Sequence, residues 1–347
     1  MSEDIVEKQA VSDIFVLFFD SLPATYQIID TSRSDTDFRE VIIAELENGD
    51  KAVVKLSDND FTDPHRIAVW QRTVEEYRRL GYYCPRIFAD KTGGFPTVRY
   101  KGRNCVAYAE EYSAYRLADE RHNITDSDDI STPEKYVDDA WVMTARIASE
   151  YLSYADFPSG YCLFEKFCPS DKNDEVLDVA LDWKNYAETL PVEFQPQIER
   201  IWKLWCDNRA ALEPLYRKLP TTVLQADLNS TNLLVDDDGN FVGVCDFNLC
   251  GREVFLNYLM RETRCSAFSA ELNEILCRLK LVSGYYHFSD IEKQAALMLY
   301  RCLKPLWWDS VYMLKKLGGD TVAQQKCLDE IEELFTRDID FSTYMTA

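Results

Sequence analysis

The sequence predicts an α+β chain of two lobes, a small antiparallel-sheet lobe over residues 1–112 and a larger, mainly helical lobe over residues 113–347. Three observations predict it. Short β-branched and aromatic runs alternate with turn signals as far as Tyr112. Beyond a polar, acidic connection the chain changes to long segments with helical periodicity. One hairpin, LQADLNSTNLLVDDDGNFVGVCDFNLCG at residues 224–251, interrupts those helices. A chain of 347 residues is long enough for two lobes with cores of their own.

Residues 3–19 bring Ile5, Val6, Ile14, Phe15 and Phe18 to one side of a helix, and Pro23 closes it. YQIID and FREVIIAEL are strands; the turn ENGD carries the Asn-Gly hairpin signal, and KAVVKLS returns. Residues 64–80, PHRIAVWQRTVEEYRRL, follow an Asp-Pro start signal and read as an amphipathic helix. PRIFAD, PTVRY and CVAYAEEY are further strands, the last leading into a hinge at Glu111 and Tyr112. The run DERHNITDSDDISTPE, from Asp119 to Glu134, is an exposed connection. YVDDAWVMTARIASEYL and FQPQIERIWKLWCDNRAALEPLYRKL are helical, and three or four more helices are expected after residue 253. The 224–251 hairpin is the one clear β-element of this second half.

A net charge of -22 argues against a general nucleic-acid binder, which needs basic surface for phosphate contacts. Acidity suits a cationic substrate, although solubility alone accounts for it. Eleven cysteines occur without a CxxC pair, and most of them read as small buried hydrophobes in a reducing compartment. The start MSEDIVEKQAV lacks the pattern of a signal peptide, and no apolar run has the length of a membrane span. A cytoplasmic protein without a membrane segment is therefore expected, its oligomeric state open. No GxSxG elbow or HExxH helix supports a hydrolase, and His65, His122 and His287 lie in separate segments away from the hairpin.

The hairpin concentrates polar groups at its two mouths, Asp227 and Asn232 before the first strand and Asp246 after the second. Oxygen-bearing side chains at fixed separation on a rigid support suit metal-assisted phosphoryl transfer. Asp227 would accept the proton of an attacking hydroxyl or hold it in line. Asn232 and Asp246 would offer hard oxygens to Mg2+, with no His or Cys pair to suggest zinc. Asp236, Asp237 and Asp238 are turn residues facing solvent.

These residues resemble the aminoglycoside phosphotransferase and choline kinase superfamily, small-molecule kinases with a protein-kinase-like fold. The superfamily's HxDxxxxN motif, followed by a strand ending in Asp, stands here as Gln225-Ala226-Asp227-Leu228-Asn229-Ser230-Thr231-Asn232 and Cys245-Asp246-Phe247. The resemblance implies Asp227 as catalytic base, Asn232 and Asp246 as Mg2+ ligands, and ATP or GTP as phosphate donor. Two positions depart from the pattern: Gln225 replaces the usual His, and Asn257 stands where an Asp often follows the second motif. It also implies a lysine on the third strand against the nucleotide phosphates, which is Lys55, held by a helix glutamate. Glu76 is the chosen partner and Glu75 the alternative; either could instead pair with Arg72 or Arg79 on the helix surface. The phosphate-covering loop would be residues 30–38, where no glycine occurs and Ser32 and Ser34 supply the donors, unless the segment is a solvated turn. Backbone groups at Glu111 and Tyr112 would meet the adenine edge.

The acceptor expected is a small hydroxylated molecule. Tyr286, Tyr300, Trp307, Trp308 and Tyr312 form either a box around a cationic or ring-shaped substrate or, more commonly for such a stripe, core. Asp309 and the run at Asp126, Asp128 and Asp129 could attract an amine or simply be solvated. The competing reading is a nucleotide-binding pseudokinase acting as regulator or scaffold, favoured by Gln225 and Asn257 and opposed by the presence of Asp227, Asn232 and Asp246 together. A protein kinase is disfavoured by the absent glycine loop and by Asn248 where a DFG sequence has glycine.

Overall fold

The computed structural model describes residues 3–121, 132–262 and 268–346, so His122, Asp126, Asp128 and Asp129 lie outside the described residues. In chain order the elements are α1 (Glu3–Phe18), β1 (Pro23–Asp30), β2 (Phe38–Leu46), β3 (Lys51–Asp58), α2 (Pro64–Arg79), β4 (Ile87–Phe88), β5 (Thr97–Tyr100), β6 (Arg103–Glu111) and β7 (Arg116–Leu117). There follow α3 (Glu134–Ala148), α4 (Glu175–Ala187), α5 (Gln195–Tyr216), β8 (Thr222–Leu224), β9 (Leu233–Val235), β10 (Phe241–Val244) and β11 (Gly251–Glu253). The chain ends with α6 (Phe255–Glu262), α7 (Phe268–Val282), α8 (Asp290–Leu303), α9 (Trp308–Lys316) and α10 (Thr321–Thr336). It forms two compact units: Met1–Ile130 with Cys168–Ser170 and Asp227–Cys250, and Ser131–Phe167 with Asp171–Ala226 and Gly251–Ala347.

The first unit is built on an antiparallel sheet in the order β1-β2-β3-β6-β4, with β5 also on β6. Strand periodicity divides its two faces. Ile42, Ala44, Ala52, Val54, Leu56, Cys105, Ala107 and Ala109 share one buried cluster with Val11, Ile14 and Phe15 of α1. The alternate residues of β3 and β6, among them Lys55, Tyr108 and Glu110, therefore occupy the face away from α1. The β2–β3 turn places Gly49 at φ 86, the left-handed region that glycine enters without strain. Asp63 caps α2 by accepting from the amides of His65 (2.8 Å) and Arg66 (3.0 Å), with Pro64 in the first turn.

The β9–β10 hairpin also belongs to this unit. β7 pairs with β9, and the Tyr83 amide donates to the Val242 carbonyl (2.9 Å) while the Val244 amide donates to the Tyr83 carbonyl (3.0 Å). Gly243 permits that approach, because a Cβ there would stand 1.7 Å from the Tyr83 oxygen. Its turn is closed by Asp236, whose carboxylate accepts from the Asn240 amide at 2.8 Å, with Asp237 and Asp238 exposed.

The second unit is helical. Trp141 of α3, Trp183 of α4 and Trp205 of α5 are fully buried, and the Trp205 indole donates to the Cys302 carbonyl of α8 at 2.9 Å. Two expectations need correction. Among the described residues five helices follow residue 253 where three or four were expected, since the breaks at SGYYHFSD, KPLW and GGD cut the apolar pattern into shorter lengths. The hairpin is also not the only β-structure there: β7 pairs with β9, and β8 pairs with β11, as runs of two or three residues too short to show a period. Among the described residues no helix is long and apolar enough to cross a membrane.

Candidate functional site

The register of β3 against β6 sets Lys55 opposite Tyr108, which puts Glu110 on the same face as a diagonal neighbour. Lys55 Nζ lies 3.0 Å from Glu110 Oε2 and 3.5 Å from Asp246 Oδ1. Trp70 of α2 packs edge-on against Tyr108, ring centroids 6.1 Å apart. Burial by itself would lower the Lys55 pKa, but Glu110 and Asp246 outweigh it and hold the ammonium charged, well above its ordinary range. The Glu110 carboxyl is raised by burial, against the pull of Lys55.

At the hairpin mouth the Asn232 amide nitrogen donates to the Asp227 carbonyl (2.8 Å) and carboxylate (3.2 Å), while Asn229 Nδ2 donates to the other Asp227 oxygen (3.0 Å). Asp227 is thus fixed by two carboxamides in one short turn. The ladder that pairs Leu233 with Val244 continues as the Cys245 amide donating to the Asn232 carbonyl at 2.9 Å, so Asp246 follows one position beyond Asn232's neighbour. Asp246 adopts φ 56, a left-handed conformation that costs a non-glycine residue roughly 1–3 kcal/mol. It accepts from Asn248 Nδ2 at 3.2 Å, and Phe247 beside it is buried edge-on against Tyr77 at 5.5 Å.

The donor chemistry fits magnesium. Asn232 turns its amide nitrogen to Asp227, which leaves its carbonyl oxygen for a cation, and the Asp246 carboxylate is 36% exposed. Among the described residues no three His, Cys, Asp or Glu side chains gather into an all-protein cage. Mg2+ characteristically takes one or two protein oxygens and fills its shell with phosphate and water.

The other predicted residues are placed as follows. Glu76 pairs with Arg79 at 2.9 Å and Glu75 with Arg86 at 3.2 Å, so neither α2 carboxylate is at Lys55; the strand residue Glu110 stands there instead. Their helix buries Trp70, Thr73, Val74 and Tyr77, while Glu75 is exposed and Glu76 half-buried against Arg79. Ser32 Oγ accepts the Arg39 amide (3.0 Å) and donates to the Arg39 carbonyl (3.3 Å), while the exposed Ser34 bonds Thr36 Oγ1 (3.1 Å), so both hydroxyls close the β1–β2 connection. Glu111 ends β6 and accepts from the Arg86 amide (3.1 Å) and Arg78 Nη1 (3.2 Å). Tyr112 is exposed, with Lys51 Nζ 4.8 Å over its ring. Of the aromatic stripe, Tyr286, Tyr300 and Trp307 are core, whereas Trp308 and Tyr312 are exposed.

Within the second unit, a group of buried polar side chains surrounds the chain just before Asp227. Gln225 is completely buried. The buried Arg261 donates from Nη2 to the Ala226 carbonyl at 2.8 Å and lies 3.7 Å over the Tyr161 ring. Asn257 donates to Glu253 Oε1 (3.0 Å) and to the Tyr161 carbonyl (3.1 Å). Arg261 was passed over in the sequence, although its position four residues after Asn257 places the two on one face of α6. A cavity of about 490 Å³ in this unit, lined by Trp202, Trp205 and Arg209, contains none of the predicted site residues.

A family model described as a phosphotransferase enzyme family matches residues 33–256. Solved structures share the fold: a microcompartment-associated aminopropanol kinase (TM-score 0.52, 16% identity, covering 96% of this chain and 95% of that one), and an amicoumacin kinase in complex with AMP-PNP and Ca2+ (0.52, 13%, 99% and 97%). A spectinomycin phosphotransferase solved with ADP and spectinomycin is similar at TM-score 0.50 and 11% identity, covering 97% of each chain. No curated protein matches the chain in sequence.

Proposed function

This chain belongs to the phosphotransferase enzyme family, and from that premise we propose that it moves the γ-phosphate of ATP or GTP to a hydroxyl of a small molecule with the help of Mg2+. The observation that carries the reading is the contact of Lys55 with Asp246 at 3.5 Å, which joins the strand motif to the hairpin motif across 191 residues of sequence. A nucleotide's phosphates need a cation donor and a metal ligand side by side, and these two residues supply both.

Each residue has a task in this scheme. Asp227, locked by Asn229 and Asn232, takes or aligns the proton of the acceptor hydroxyl. Asn232 and Asp246 would hold the cation, which would supply positive charge against the nucleotide phosphates. Lys55 grips the phosphates, the backbone at Glu111 and Tyr112 meets the adenine edge, and the loop with Ser32 and Ser34 covers the phosphates. Neighbours of this fold act on aminopropanol and spectinomycin, which supports a small hydroxylated acceptor, amines included. Most of the described cysteines are buried as small hydrophobes, which supports a reducing compartment such as the cytoplasm.

Thermal-shift titration with Mg2+ and ATP or GTP, alongside nucleoside diphosphate release over a panel of alcohols, amino alcohols and antibiotics, tests the proposal. Asp246→Ala should weaken metal-nucleotide binding. Asp227→Ala should keep binding and lose about 10²- to 10⁴-fold in transfer. A wild type that binds no nucleotide overturns it; one that binds but transfers to nothing in the panel supports the regulator reading instead.

A further inference from the structure

The carboxylate that holds Lys55 comes from the sheet. We infer that Glu110 is the positioning residue for the phosphate-contacting lysine, in place of any glutamate of α2; the role rests on the phosphotransferase reading above. Three observations converge on it. Glu110 Oε2 is 3.0 Å from Lys55 Nζ, with the two side chains only 11% and 18% exposed. The antiparallel pairing of β3 with β6 places the two residues on one face through backbone hydrogen bonds, independently of any helix. The inner side of α2 offers no competing carboxylate: it presents Trp70, Thr73, Val74 and Tyr77, and Thr73 Oγ1 is bonded to the Val69 carbonyl at 2.8 Å.

An ammonium has three N–H donors. Glu110 takes one and Asp246 another, which leaves the third for a phosphate oxygen. Because both partner strands are central in the sheet, the lysine is held in place before nucleotide arrives and needs no shift of α2 to be set. In a fold where a helix carries the glutamate, helix position controls the lysine; here that control is absent.

The test compares Glu110→Gln and Glu110→Asp with Glu76→Gln, the competing assignment, in the full chain with Mg2+ and ATP or GTP. Glu110→Gln should lower nucleoside diphosphate release about tenfold to a hundredfold while nucleotide affinity changes far less, and Glu110→Asp should recover part of the rate. Glu110→Gln at the wild-type rate, or an equal loss in Glu76→Gln, overturns the inference. A second readout needs no nucleotide. Lys55→Met leaves Glu110 buried beside Asp246 and should lower Tm; adding Glu110→Gln should restore part of the loss, and adding Glu76→Gln should not. The opposite pattern in that cycle overturns the clamp, whereas a wild type without nucleotide turnover overturns the phosphotransferase reading and leaves the cycle to decide the clamp separately.

Discussion

Glu253, fully buried, collects hydrogen bonds from Ser159 Oγ (2.6 Å), the Val254 amide (2.7 Å) and Asn257 Nδ2 (3.0 Å). Burial nevertheless raises its carboxyl above the ordinary 4.5, because desolvation outweighs those donors. The folded state then keeps a proton that the unfolded chain has released, so the stabilisation is complete below pH 4.5 and is lost as pH rises through the higher folded value. Urea unfolding between about pH 4 and pH 8 should show Glu253→Gln gaining on the wild type as pH rises; a difference independent of pH contradicts this. Arg261 acts differently, as a planar donor to the Ala226 carbonyl that also stacks on Tyr161. Arg261→Met should cost about 1–3 kcal/mol in urea unfolding by stranding a buried carbonyl. It should also slow nucleoside diphosphate release more than it weakens nucleotide binding, and Arg261→Lys should not restore the rate, since an ammonium cannot stack and fork as a guanidinium does. Loss of stability without loss of rate would show a purely structural arginine.

At the level of elements, the hairpin was the most legible part of the chain. Its Asp-Gly turn, the Asp227–Asn232 spacing and the terminal Asp246 are all local in sequence, and the paired strands are found where those signals put them. The sheet was legible for the same reason, since alternation along β2 and β3 is a local property. What stayed hidden is non-local. Glu110 at Lys55 depends on the register of two strands separated by the whole of α2, β4 and β5, whereas a helix glutamate is suggested by periodicity alone. Arg261 and the short strands β8 and β11 depend equally on contacts that no window of sequence contains. Gly243 is a further case, a small residue whose necessity comes from Tyr83. Gly243→Ala would force the hairpin off that carbonyl and should destabilise the protein by about 1–3 kcal/mol in denaturant unfolding. Unchanged stability would mean that the Tyr83 contact does not seat the hairpin.

Across the whole molecule, the residues proposed for phosphate and metal fall within one compact unit although they come from distant stretches of chain. Lys55 and Glu110 are on the sheet, and Asp227, Asn232 and Asp246 are on a hairpin that enters the unit from beyond residue 226. The strong net acidity was legible at once but selects no substrate, because a field spread over the surface does not define a site. The strained Asp246 and the buried Lys55–Glu110 pair are features that a sheet and hairpin maintain only where surrounding structure enforces them. A crystal structure with Mg2+ and a non-hydrolysable ATP or GTP analogue tests this arrangement most directly. It should show the cation between Asn232 Oδ1 and the Asp246 carboxylate, with Lys55 Nζ on a phosphate oxygen and still within hydrogen-bond reach of Glu110. A nucleotide seated elsewhere, or a cation that avoids both Asn232 and Asp246, would contradict it.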